Sequence, residues 1–201
     1  MRPKKKYLYA SIFFLSLQLL VIIKNLLTNN YIAFFWFCDF VPILFSIAFF
    51  LEDEQLAKGL INIGFIPQLA YFAILFSAVS FGIGTSQVFD ILNSTRFYIF
   101  SSFILHLVSV NVALFLTYKA RPQQKSLIYS FAFIFLMLLF SLLAPDSLNA
   151  NYIHHFDFFG HTITYLIYFW IILTFVIVVV PTYFIQYALY TNSIKNASRK
   201  G

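Results

Sequence analysis

Long apolar runs alternate with short polar breaks along the whole chain. A hydrocarbon core of roughly 30 Å needs about 20 mainly apolar residues per crossing helix, and runs of that length bounded by charge or turn residues occur six times. They cover about 7–27, 31–51, 60–82, 97–118, 126–144 and 163–190, with breaks at Thr28-Asn29-Asn30, Glu52-Asp53-Glu54 and Pro145-Asp146. The longest breaks, Ile83 to Arg96 and Pro145 to Thr162, are too short to hold a soluble domain. The pattern predicts an all-α, polytopic membrane protein, a single domain over 1–201 formed by a bundle of six transmembrane helices. Arg2, Lys4, Lys5 and Lys6 precede the first run as they would in a signal peptide. About 20 apolar residues exceed a usual signal h-region, however, and no small-residue cleavage site follows, so the segment is expected to stay as a span.

Composition removes the other classes. With 61% hydrophobic, 21% aromatic and 10% charged residues, the chain lacks the quarter of charged residues that a water-soluble domain carries. One cysteine, Cys38, excludes an internal disulfide framework and any cysteine-rich metal site. The net charge of +6 would suit nucleic acid until it is sorted by side of the membrane. Arg2, Lys4, Lys5, Lys6, Lys58, Lys119, Arg121, Lys125, Lys195, Arg199 and Lys200 fall on one side, and Lys24 and Arg96 on the other. Eleven against two predicts that both termini are cytoplasmic, and it makes the charge a topology signal and an attraction to anionic lipid rather than a nucleic-acid footprint. Abundant Phe, Ile, Asn, Lys and Tyr fit an AT-rich genome, so a bacterial inner membrane is the expected location.

Candidate chemistry lies where polarity is costly. Asp39 falls about eight residues into the second run from its outer end, roughly 12 Å deep, and His106 roughly 13 to 14 Å into the fourth. Gln68, in the third run, comes to nearly the same level from the other side. An ionisable residue at such depth needs a partner or a water-filled cavity. Ser102, His106 and Ser109 follow i, i+4, i+7 spacing, as do Gly64, Gln68 and Tyr71, while Asp39 and Ser46 share a face. Pro42 and Pro67 free the carbonyls of Cys38 and Ile63 beside this layer. The expectation is that Asp39 and His106 approach each other and share a proton or a water, with Gln68 close by. His106, Asp39 and Cys38 are the catalytic candidates, and Gln68, Ser102, Ser109 and Tyr71 the ligand-binding ones. The plain alternative is that the same side chains tie helices together.

A second polar cluster precedes the last run: Asp146, Asn149, Asn151, His154, His155, Asp157 and His161. Were Ile153 to His161 helical, His154, Asp157 and His161 would share one face with metal-ligand spacing. No further ligand accompanies them, and the interleaved Phe156, Phe158 and Phe159 suit an aromatic girdle at the lipid surface, so no metal and no cofactor are expected. Asn93-Ser94-Thr95 has the form of a glycosylation sequon, and no role is assigned to it.

Trp36-Phe37-Cys38-Asp39, the Gly64 to Leu69 stretch, the His106 helix and Asn149-Ala150-Asn151 follow one another in an order that resembles a family of small multispanning bacterial membrane proteins of unknown function. In that family W-F-(C/S)-(N/D) opens the second span, a later span carries a histidine, and an N-x-N loop precedes the last. The resemblance covers most of the chain and implies no activity. In layout alone, six spans with an inside N-terminus and a mid-membrane His106 are similar to the androgen-induced fatty-acid-ester hydrolases, which use a threonine nucleophile and a histidine base. The second span here has Cys38 and Asp39 but no Thr, so the nucleophile does not carry over.

Three function classes follow. The leading one is a non-catalytic accessory or scaffold protein whose polar layer specifies packing. Its alternatives are an intramembrane lipid or acyl-ester hydrolase or acyltransferase using His106 with Asp39 or Cys38, and a small-solute transporter. The implied partners are the lipid bilayer and a lipid-like ligand, with no nucleic acid. Protein partners are not readable from the chain.

Overall fold

The computed structural model describes residues 4–82, 96–144, 153, 155–158, 161–164 and 169–198. Helix α1 (Lys5–Leu27) is apolar throughout except for a few polar positions, among them Ser11, Gln18 and Asn25 at seven-residue intervals. With Phe14 and Val21 between them these form one buried stripe, because alternating steps of three and four keep side chains on one helix face. Helix α2 (Phe37–Phe50) runs antiparallel against that stripe. Phe14 packs on Phe45 and Phe49 with ring centroids 5.0 and 5.4 Å away, and the Ser11 and Ser46 hydroxyls meet at 3.0 Å.

The second expected span, 31–51, is divided. Tyr31–Phe35 forms a single 3-10 turn, Trp36 is extended (φ −81°, ψ 133°), and α2 starts only at Phe37. Its 14 residues rise about 21 Å. Apolar content reports burial and says nothing of backbone dihedrals, so hydropathy joins the two pieces into one run. The chain reverses just before, with Asn29 in the left-handed region (φ 51°) and the Asn30 N–H bonded to the Asn25 carbonyl at 2.9 Å.

Helix α3 (Glu54–Phe81) is the central element and packs against α2, α4 (Arg96–Thr117) and α5 (Gln124–Leu143). It begins six residues earlier than the apolar run because Asp53 caps it, its Oδ1 accepting the N–H groups of Gln55 and Leu56 at 3.0 Å. It ends at Gly82, whose φ of 68° only glycine adopts freely. The acidic turn before α3 gathers one end of the bundle. Glu52 accepts the Lys4 backbone N–H at 2.6 Å, Glu54 accepts the Tyr7 hydroxyl, and Asp53 Oδ2 takes Lys125 Nζ and the Tyr129 hydroxyl, each at 2.9 Å. Burial works to raise the Asp53 pKa, but Lys125, the Leu56 N–H and Tyr129 outweigh it and hold the carboxyl below its ordinary value. Gln55 pins the turn between α4 and α5, donating to the Arg121 carbonyl at 3.0 Å and accepting the Gln123 N–H at 2.9 Å. Farther along α3, Gly59 lets the backbone of α5 approach. A Cβ there would stand 2.7 Å from Tyr129 Cβ and 3.0 Å from the Ser126 carbonyl, the close small-residue crossing that membrane helices favour.

Beyond α5 the backbone leaves the helical pattern. Residues His155–Phe158 (β1) and His161–Thr164 (β2) pair as an antiparallel hairpin with Phe158 opposite His161. A strand repeats every two residues, so Asp157 and His161 do not share the face that a helix over this stretch would have given them. The sixth span cannot start at 163 either: α6 (Trp170–Ser198) starts seven residues later and extends to Ser198. Within α6, Phe175–Val179 is a π turn. Pro181 follows it and has no N–H to return to Ile177, and the wider turn absorbs that missing bond. Asp146, Asn149, Asn151, His154 and the Asn93 sequon lie outside the described residues.

The all-helical bundle thus stands, interrupted by one short hairpin. Among the described residues, five helices, α1, α3, α4, α5 and α6, are long and apolar enough to cross a membrane, and α2 is shorter.

Candidate functional site

Asp39, the third residue of α2, is 2% exposed. Its partner is Lys24 on α1, whose Nζ lies 3.2 Å from both carboxylate oxygens. Asn25 Nδ2 adds a bond of 2.7 Å to Oδ2, and the Cys38 thiol lies 3.8 Å from Oδ1. Gln18, from the same face of α1, completes the arrangement in the backbone. Its amide nitrogen donates to the Asp39 carbonyl at 3.1 Å while its oxygen accepts the Ile43 N–H at 3.1 Å. These two backbone groups are the pair an α-helix joins directly, so Gln18 spans the ladder beside Pro42. The ammonium also lies 5.2 Å from the Tyr98 ring of α4, whose hydroxyl accepts from Asn30 at 3.5 Å.

The structure thus pairs Asp39 with Lys24 and Asn25 where the expectation placed His106. No hydrogen bond joins Asp39 to His106 among the described residues, and the carboxylate is already occupied. His106 belongs to a separate cluster on the seam of α3 and α4. Its ring lies against Tyr71 with centroids 4.0 Å apart, and its Nδ1 is buried without a hydrogen-bond partner. Three residues on, Ser109 Oγ lies 3.1 Å from Gln68 Oε1 and 2.6 Å from the Leu105 carbonyl. Ser102 is buried on the same helix. The four ligand-binding candidates and His106 are thus all on α3 and α4, whereas Asp39 and Cys38 belong to the contact of α1 with α2. A cysteine nucleophile needs a base within hydrogen-bond reach, and the hydrogen-bond contact of Cys38 is with the carboxylate of Asp39. That carboxylate also accepts two bonds from Lys24 and one from Asn25.

A third cluster has no counterpart in the sequence reading. Lys58, counted above only as a cytoplasmic charge, is fully buried in the first turns of α3. Its Nζ donates to Gln186 Oε1 of α6 at 3.3 Å, and Gln186 Nε2 donates to the Lys58 carbonyl at 3.2 Å and to Asn62 Oδ1 at 2.7 Å. Asn62 continues to Ser130 Oγ of α5 at 3.0 Å. Lys24, counted above among the charges of the opposite side, is 3% exposed. A lysine at the end of a run reads equally as a topology charge or a tucked side chain, and only a matching acid or amide on a neighbouring helix separates the two. Among the described residues no group of three or more His, Cys, Asp or Glu side chains gathers as metal ligands. Comparison with protein-family models, curated proteins and solved structures finds no match for this chain.

Proposed function

We propose that the protein is a non-catalytic accessory or scaffold protein of the bacterial inner membrane, crossing it six times with both termini in the cytoplasm. The observation that carries this reading is the use of the buried charges. Lys24 and Asp39 face each other across two helices at 3.2 Å and are closed off by Asn25, and Lys58 is spent in the same way on Gln186. Ionisable groups kept for catalysis or transport would face a substrate or a water-filled path, whereas these fasten α1 to α2 and α3 to α6. Six crossings are supported by the return of the chain at Glu52 to the end where Lys4 starts, a hydrogen bond of 2.6 Å that brackets one outward and one inward pass. The eleven-to-two division of Lys and Arg supports the orientation.

Two measurements test the reading. Membranes producing the wild type, Cys38→Ala and His106→Ala at matched levels should have the same lipid and acyl-ester composition by mass spectrometry, and cross-linking in those membranes should capture the same protein neighbours from all three. A lipid species that accumulates only with the wild type and is lost with His106→Ala would replace the scaffold by an intramembrane hydrolase or acyltransferase. For the orientation, a reporter active only in the periplasm should be silent when fused after Gly201 and active when fused after Asn93. Activity at Gly201 would overturn the even number of crossings.

A further inference from the structure

Two of the three buried side-chain atoms without a hydrogen-bond partner among the described residues, Gln68 Nε2 and His106 Nδ1, belong to the cluster between α3 and α4. Gln68 is 4% exposed and His106 8%, so bulk water does not serve them. They face one seam. Tyr71, one turn from Gln68, lies on the His106 ring at 4.0 Å, and Ser109, one turn from His106, meets the Gln68 amide at 3.1 Å.

The serine fixes which way the amide points. Ser109 has a single hydroxyl proton, and the Leu105 carbonyl at 2.6 Å takes it. The hydroxyl then offers only lone pairs to Gln68, and the amide atom at 3.1 Å has to be the nitrogen, since the two ends of a carboxamide are interchangeable by rotation. The unpartnered end of Gln68 is accordingly its carbonyl oxygen, an acceptor, on the same seam that carries the unpartnered imidazole nitrogen of His106. Gly64, one turn away, keeps this place open. A Cβ on Gly64 would stand 3.9 Å from the unpartnered end of the amide and 2.9 Å from Val110 Cγ2.

We infer that one hydroxyl group is held between α3 and α4, donating its proton to the Gln68 carbonyl and accepting from His106 Nδ1–H. A hydroxyl is the smallest group that is donor and acceptor at once, which is what an amide oxygen and an imidazole N–H require together. The hydroxyl belongs either to a buried water or to the alcohol of a membrane lipid that reaches in between the helices, and the same two side chains would hold both. The inference is independent of the scaffold reading, because a bound hydroxyl can be structural or a ligand.

The test is the ¹⁵N spectrum of histidine-labelled full-length protein, with His106 assigned by its loss in His106→Phe. Protein stripped of native lipid is placed in nanodiscs of phosphatidylcholine alone, which has no hydroxyl, and in nanodiscs that also contain diacylglycerol, which has one. A protonated, hydrogen-bonded Nδ1 in both bilayers identifies a water, and one that appears only with diacylglycerol identifies a lipid alcohol. In either case Gln68→Met should shift the His106 resonance and lower the thermal midpoint by about 3–8 °C, since the hydroxyl loses its acceptor. A His106 Nδ1 without a hydrogen bond in both bilayers would overturn the inference. So would a hydrogen-bonded Nδ1 that Gln68→Met leaves unchanged, because its partner would then be some other group. The wild-type spectra decide the first point with no variant beyond the one that assigns His106.

Discussion

Asp39→Ala is expected to destabilise the protein by about 3–5 kcal/mol, the range for breaking a buried ion pair by removing one partner. The cause is what stays behind. Lys24, 3% exposed, would be left in an apolar bundle with no carboxylate opposite, and Asn25 Nδ2 would lose its acceptor. Asp39→Leu alone should cost as much, whereas Lys24→Met with Asp39→Leu removes both charges and fills their space with apolar atoms, so the double variant should recover most of the loss that Asp39→Leu causes by itself. Thermal unfolding in detergent, followed for the two single variants and the double, measures the coupling. Additive losses would mean that the two groups do not depend on each other, and the account of α1 against α2 would fail.

The next largest effect is expected at Gln186, which is 1% exposed and serves three groups with one amide. Gln186→Leu keeps the volume and withdraws the acceptor from Lys58 Nζ and the donors from the Lys58 carbonyl and Asn62 Oδ1. Each stranded buried group costs about 1–3 kcal/mol, more for an ammonium, so a loss of about 3 kcal/mol follows even if the amide groups relax. Lys58→Met should soften it, because a thioether asks nothing of Gln186. The same unfolding assay reads the outcome. If Gln186→Leu unfolds with the wild type, α6 is not fastened through this amide.

Apolar run lengths revealed the helices far better than their ends. The runs at 7–27, 97–118 and 126–144 match α1, α4 and α5 to within a few residues because in each case turn or charged residues bound the apolar stretch. The third began too late because Asp53 starts α3 through its cap, and capping depends on one side chain rather than on hydropathy. The second and sixth failed where apolar residues adopt something other than α-helix, at Trp36 and at Ile163. Of the site, the seam of Gln68, Tyr71, His106 and Ser109 was legible from polar spacing on two helices. The partner of Asp39 was legible too, had the same spacing been followed on α1. Ser11, Gln18 and Asn25 recur every seven residues there, and Lys24 adjoins the last of them. Depth alone pointed to His106 instead, because it measures one coordinate and leaves open which neighbour a helix face meets.

The ion pair between α1 and α2 also bears on how the chain enters the bilayer. Lys24 and Asp39 are 15 residues apart, on consecutive helices, so they leave the ribosome within moments of each other. A lone lysine or aspartate in an inserting helix is disfavoured, by roughly 2.5 to 3.5 kcal/mol at the helix centre and by less toward the ends where Lys24 and Asp39 lie. Closed at Lys24 and Asp39, the hairpin carries no net charge across this pair. Partitioned as a pair, α1 and α2 escape a penalty that each would meet alone, and α2, with only 14 residues of helix, gains a transmembrane neighbour before it has to face lipid.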